Sequence, residues 1–174
     1  SKIKYCSPEI DKKIVIFHGI NTNNSIKKGN DYFKKAIEVI KKSHGNKIKY
    51  IEVHDLDYNE YIKSYDSCHI FLDQVYAYDQ GYNALEAMAK GKVVFTGAEK
   101  EWLDYYNLTE DSIAINALPD VDYLVKKISI LIDNPELLKS ISISARKFIA
   151  DQHDYQNIAG AYVQKWLKAI KNER

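Results

Sequence analysis

Cysteine is scarce: Cys6 and Cys68 are too few for a disulfide framework or a cysteine-rich zinc site, which fits a reducing compartment. No apolar run approaches the roughly 18 to 20 residues that cross a bilayer. The opening Ser1-Lys2-Ile3-Lys4 has no signal-peptide core, so the reading is a cytoplasmic protein without a transmembrane segment. Net charge is small, with 25 Lys+Arg against 24 Asp+Glu, and the two signs are interleaved. That pattern excludes nucleic acid or a polybasic membrane patch as the expected partner mode. Arginine occurs only at 146 and 174, so an anion held in the first two thirds of the chain must rely on lysine, backbone N–H groups or a helix N-terminus. Glycine and proline are sparse, 7 and 3 among 174 residues, and no repeat, low-complexity tract or linker interrupts the chain. The expected organisation is therefore one domain over 1–174, with 1–13 as a leader or linker and 154–172 as a C-terminal helix.

The few glycines also exclude motifs. None builds G-x-G-x-x-G after the first apolar run, and Gly91-Lys92 is followed by Val93, with Glu86 where a Walker glycine would stand. A dinucleotide site and a P-loop are both ruled out. The acidic cluster of a phosphoacceptor receiver is absent too, since His18-Gly19-Ile20-Asn21 occupies its place.

What is present is enough hydrophobic residue, 45%, for a full core, arranged as short β-branched runs alternating with helical-period segments. Strands are expected at Ile14–Phe17, Ile48–Val53, His69–Leu72, Val93–Phe95 and Ile113–Ile115. Helices are expected at about 29–43, 58–65, 80–90, 99–106, 120–132, 135–151 and 155–171. Asp57, Asp120 and Asn134 stand where N-caps belong, the last followed by Pro135 at the first helical position. The fold class is a doubly wound, mostly parallel, Rossmann-like α/β sheet with a helical C-terminal tail. Ligands of such sheets bind outside the carboxyl ends of the strands, which directs attention to the loops 18–29, 54–58 and 73–82.

Lys27-Lys28-Gly29 ends the first loop at the mouth of a helix, where a lysine beside free N–H groups can hold a diphosphate; alternatively Lys28 is one more solvated lysine. In Asp79-Gln80-Gly81-Tyr82-Asn83-Ala84-Leu85-Glu86, Gly81 lets a ligand approach the backbone at a helix start. Glu86 can then accept hydrogen bonds from a ribose diol, and Asp79 is either the helix N-cap or a substrate contact. His18 is a sugar or phosphate contact or a satisfied semi-buried histidine. Asp55-Leu56-Asp57 has the look of a metal-binding pair of carboxylates, but Asp57 with Glu60 reads better as a capping box. Tyr76, Tyr78 and Tyr82 are the tyrosines placed to touch a sugar.

Gly81-x4-Glu86-Ala87-Met88-Ala89-x-Gly91-x-Val93-Val94, following Lys28-Gly29 after the first strand, resembles the donor-binding C-terminal domain of retaining GT-B glycosyltransferases of the group 1, family 4 type. The likeness runs from about Ile14 to the last helix. It implies an enzyme of hexosyltransferase type in bacterial polysaccharide synthesis, transferring sugar from a UDP-, GDP- or ADP-sugar to a glycan or lipid-linked acceptor. By the resemblance, Glu86 binds the ribose and Lys28 the diphosphate, and Gly81, Tyr82, Asn83 and Ala84 offer backbone N–H groups. Gly19 and Tyr78 complete the donor set and the Val53-His54 loop faces the base; Lys28 and Asp79 are the catalytic candidates. No metal or other cofactor is called for. Two positions depart from the family: Tyr78 stands where a first glutamate is usual, and Ile20 replaces an arginine. The acceptor-binding half is also missing, so the chain reads as a C-terminal half or one part of a split enzyme, inactive alone and peripheral at the inner membrane face through that other half. Tyr155, Ala159, Tyr162 and Trp166 line one side of the final helix, which docks on that half or packs on its own sheet. The rival readings are a non-catalytic sugar-nucleotide-binding or assembly module and a GT-B-fold sugar-nucleotide epimerase fragment.

Overall fold

The computed structural model describes residues 3–6, 10 and 12–172, so only part of the expected 1–13 leader is among them. Five parallel strands, β1 (Ile14–Ile20), β2 (Ile48–His54), β3 (Ile70–Leu72), β4 (Val93–Thr96) and β5 (Ile115–Asn116), form one sheet in the order β2-β1-β3-β4-β5. Side chains alternate across it as the pleat requires: Ile16, Ile70, Leu72, Val93 and Phe95 enter one core, while Phe17, Phe71 and Val94 enter the other. Both faces are apolar because both are covered, which explains the near-continuous hydrophobic runs.

The first core packs under α2 (Asn30–His44), through Phe33, Ile37 and Ile40, and α6 (Val121–Asp133), through Leu124 and Ile128. Opposite them lie α3 (Tyr58–Ser64), α4 (Tyr82–Ala89), α5 (Lys100–Tyr106) and α7 (Pro135–Gln152). Ala84, Ala87 and Ala89 let α4 approach the sheet closely, and Ala145 and Phe148 of α7 fill the same layer. The caps are those the sequence predicts: Asp57, Asp120 and Asn134 accept backbone N–H bonds from Asn59 and Glu60, from Tyr123, and from Leu137.

Three expectations need correction. The edge strand is Ile115–Asn116, shifted from 113–115, because β4 offers only Phe95 and Thr96 as partners there. Residues 22–28, expected to be loop, wind into a 3-10 turn (Thr22–Asn24) and a single α-turn, α1 (Ser25–Lys28). Local chemistry builds them: Asn21 accepts from the Asn23 N–H, and Gly29 closes the turn at φ 66° in the left-handed region. Finally, α8 (Tyr155–Asn172) does not pack on its own sheet, since every residue from 155 to 171 is exposed. No helix among the described residues is long and apolar enough to cross a membrane.

Candidate functional site

From β1 the chain passes to β2 on one side, then returns to β3 on the other, so the loops after β1 and β3 part over a crevice at the carboxyl end of the sheet. Lys28, at the end of α1, reaches across it. Its Nζ lies 2.7 Å from Oδ1 of Asp73, the residue that follows β3, and the Val75 N–H donates to the Lys28 carbonyl at 2.9 Å. Asp73 is 2% exposed and its carboxylate is fully engaged: Asn83 Nδ2 donates to Oδ1 at 2.9 Å and Thr96 Oγ1 to Oδ2 at 3.2 Å. One of the three ammonium donors of Lys28 is thereby spent on position, and the others remain for the crevice.

A cavity of about 330 Å³ opens there, lined by Gly19, Ile20, Lys28, Val53, Tyr61 and Asn83 with neighbours from the loops after β1 and β2. Its floor explains Gly19: a Cβ there would meet the Tyr61 ring at 2.3 Å. Gly29 is required twice over, by its positive φ and because a Cβ would lie 2.2 Å from Val75 Cγ2. Gly81 is different. Its φ is −81°, ordinary for any residue, and a Cβ would meet nothing within 4 Å, so the chain's own packing does not demand glycine there. It is the N-cap of α4 and makes no side-chain cap bond, which leaves the first N–H groups of the helix without a side-chain partner beside Asn83 and the cavity.

Glu86, one turn further along α4, accepts a 2.8 Å hydrogen bond from the hydroxyl of Tyr58, itself a lining residue. That bond raises the Tyr58 pKa above the usual phenol value. Tyr61 is hydrogen-bonded to Asn83, and burial above all pushes its pKa up. Asp55 closes the far side at φ 48°, accepting the Thr22 N–H at 2.8 Å and the Thr22 hydroxyl; these bonds hold its carboxyl below the usual range. The cavity is therefore cationic at its Lys28 and α4 end and apolar with one acid at its Val53, Leu56 and Asp55 end.

Lys28, Gly19, Val53 and Asn83 are thus brought together, with Glu86 joined to them through Tyr58. The other predicted side chains do not line the cavity. His54 is an exposed strand-end residue, its Nε2 2.8 Å from Glu52 Oε1, and does not line the cavity. Tyr82 and Ala84, predicted for their backbone N–H groups, flank Asn83 in the first turn of α4, with the Tyr82 side chain exposed and the Ala84 side chain buried against the sheet. Tyr78 and Asp79 line a second, neighbouring cleft, and Asp79 is not the cap of α4. His18 is fully buried, with Nδ1 3.0 Å from the Tyr50 hydroxyl and Nε2 3.2 Å from Asn30 Oδ1, and burial lowers its pKa to about 4. It is a satisfied core histidine. Asp73 and Tyr58 were not singled out in the sequence; an acid directly after a wholly apolar strand, at the head of the β3–α4 loop, is the signal that points to the first. No three His, Cys, Asp or Glu side chains among the described residues are grouped to hold a metal ion.

A family model described as Glycosyl transferase-like matches residues 29–164. Among solved structures, TarM is similar with a TM-score of 0.68 at 16% identity, over 97% of this chain and 37% of TarM. The C-terminal domain of a group 1 glycosyl transferase (LpcC) from Francisella tularensis gives 0.59 at 18%, over 83% of this chain and 87% of that domain. Anabaena HepE in complex with UDP gives 0.57 at 13%, over 91% of this chain and 50% of HepE. The chain thus spans about a third to a half of the full-length structures it matches. No curated protein matches it.

Proposed function

Starting from a chain that belongs to the Glycosyl transferase-like family, we propose that it is the nucleotide-sugar-binding half of a retaining glycosyltransferase. One observation carries the reading. Lys28 and Asn83, in the first turn of α4, line a single cavity at the β1/β3 switch point, and Tyr58, which lines it too, donates a hydrogen bond to Glu86. The diphosphate lies between the Lys28 ammonium and the N–H groups of residues 82–84, where ammonium and helix dipole add. The ribose diol donates to Glu86, which keeps acceptor capacity beyond the Tyr58 bond. The base lies toward Val53, Leu56 and Ile20, away from the cationic end.

In the reaction the bond from the sugar's anomeric carbon to the diphosphate oxygen breaks, and the electron pair stays on the diphosphate. An acceptor hydroxyl forms the new bond to that carbon, and its proton passes to the departing diphosphate oxygen. The negative charge growing on the leaving group is met by Lys28 and the α4 N-terminus, both in place beforehand. Asp73 holds Lys28 there and Asn83 beside it. The transferred sugar points toward the Tyr78–Gln80 loop, with Asp79 on its far side. An acceptor-binding half, in a hexosyl transfer to a bacterial polysaccharide or lipid-linked glycan, completes the cleft; the apolar stripe of α8 is its contact surface.

Calorimetry with UDP, GDP and ADP tests the donor site. Binding of one of them is expected, with Glu86→Ala weakening it by about 1 kcal/mol or more, the loss of a hydrogen-bonded group. Binding of none of the three would retire the reading. A non-catalytic sugar-nucleotide module is the second reading, favoured by Ile20, which is buried in the cavity wall where the family carries an arginine, and by Tyr78 in place of a glutamate. Sugar transfer by the chain joined to an acceptor half separates the two. An epimerase would need further acid and base carboxylates, and among the cavity's lining residues Asp55 is the one carboxylate, already held by Thr22.

A further inference from the structure

Beside the nucleotide cavity, and sharing no lining residue with it, lies a larger cleft of about 510 Å³ between the start of α4, α5 and the end of α7. We propose that it is a binding site for a neutral oligosaccharide, the glycan chain on the acceptor side of the reaction; that last identity rests on the glycosyltransferase reading, whereas the chemistry of the cleft does not.

The walls are aromatic and rigid. Trp102, Tyr105 and Tyr106 of α5 line the cleft. Edge-to-face contacts lock these rings: Tyr105 to Tyr106 at 4.7 Å, Trp102 to Tyr106 at 5.8 Å and Trp102 to Phe148 of α7 at 5.5 Å. Tyr105 and Tyr78 are each 80% exposed, which a fold of this size does not need for its own core. The β3–α4 loop that carries Tyr78 is tied down as firmly. Gln80 Nε2 donates to the Gly97 carbonyl at 2.6 Å and the Glu99 N–H to the Tyr78 carbonyl at 3.0 Å. Gly97 permits that approach, since a Cβ would stand 2.4 Å from the Ala77 carbonyl oxygen. The platform is therefore ordered before a ligand arrives, and little conformational entropy is lost on binding.

Polar groups rim this apolar floor. Asp79 and Glu101 offer carboxylate acceptors. His153 closes one end, its pKa lowered by burial. Flat C–H faces against aromatic rings and hydroxyls against carboxylates are the two surfaces of a pyranose. Two acids and no lysine or arginine in the lining exclude an anionic ligand. The volume lies within the roughly 300–1,000 Å³ of small-molecule sites and exceeds what a quaternary ammonium head would fill. Position agrees, because Tyr78 and Asp79 precede Gly81, so the cleft begins where the donor site's sugar end stops.

The chain contains two tryptophans, Trp102 in the cleft and Trp166 on the exposed face of α8. In Trp166→Phe the indole emission reports on the cleft alone. Titration of that variant with maltotriose, cellotriose and triacetylchitotriose is expected to give a saturable change with at least one of them. Adding Tyr105→Ala should weaken it about fivefold or more, the scale of one aromatic contact. UDP should not displace the saccharide, and Asn83→Ala, which damages the nucleotide cavity, should leave saccharide binding unchanged. No saturable response to any of the three, a response insensitive to Tyr105→Ala, displacement by UDP, or a response to choline alone would each overturn the proposal. Saccharide binding without UDP binding would sink the donor-site reading and spare the cleft; UDP binding without saccharide binding would do the reverse.

Discussion

Asp73 shows how one buried carboxylate sets the position of a lysine in the cavity wall. Its carboxylate is buried, and the ammonium, amide and hydroxyl that satisfy it come from α1, α4 and β4. Lys28 is held by that ion pair, on a turn closed by Gly29. His18 stands on the neighbouring strand with no such charge partner, and burial keeps it neutral down to a pKa of about 4. The unfolded chain takes up a proton there near 6.5, so this stability is fully present above pH 6.5 and is lost as pH falls toward 4. Between pH 7 and pH 5 the loss from this group is about 2 kcal/mol. Urea unfolding at the two pH values should show it, and His18→Gln should reduce the difference between them by about that amount.

The N-termini of α3, α6 and α7 are capped by Asp57, Asp120 and Asn134, whereas α1, α2, α4 and α5 begin without a side-chain cap bond, α4 at Gly81. An aspartate at 81 would fit the extended backbone and empty space found there, and would cap the helix. Gly81→Asp is therefore predicted to stabilise the fold by a few tenths of a kcal/mol, read as a raised melting temperature. The same change sets a fixed negative charge where the proposed diphosphate lies, so calorimetry should show UDP binding lost. Retained UDP affinity in that variant would mean the diphosphate does not sit on α4. Element positions were largely legible in advance because apolar period and cap chemistry are local. The 3-10 turn and α1 were not, since seven residues are too few to show a helical period and their geometry comes from Asn21 and Gly29.

For the molecule as a whole, the two covered faces of the sheet account for the core, and α8 stands outside it. Tyr155, Ile158, Tyr162, Trp166 and Ile170 recur along it at helical spacing, 40–63% exposed. Because residues 155–171 are all exposed, deleting 155–172 should change the unfolding free energy by no more than about 0.5 kcal/mol, as for surface changes generally. Chemical denaturation would show it, and a loss of several kcal/mol would mean that α8 packs on the body in solution. Periodicity reported an amphipathic helix correctly and could not report its partner, since a stripe of apolar residues looks the same whether its own sheet or another surface covers it.

The order of apolar runs, the capping residues and the Gly81–Val94 motif were enough to define a doubly wound sheet, its ligand edge, and Lys28 and Glu86 as candidates. All of these are local patterns, or follow from the rule that parallel strands place their loops on one edge. Which candidates meet was a matter for folding. Lys28 and Asp73 are 45 residues apart, Tyr58 and Glu86 28, and no spacing encodes those contacts. The strand order, with β1 between β2 and β3, brings the loops together, joins Glu86 to the cavity through a tyrosine from another helix, and sends Tyr78 and Asp79 to a separate cleft.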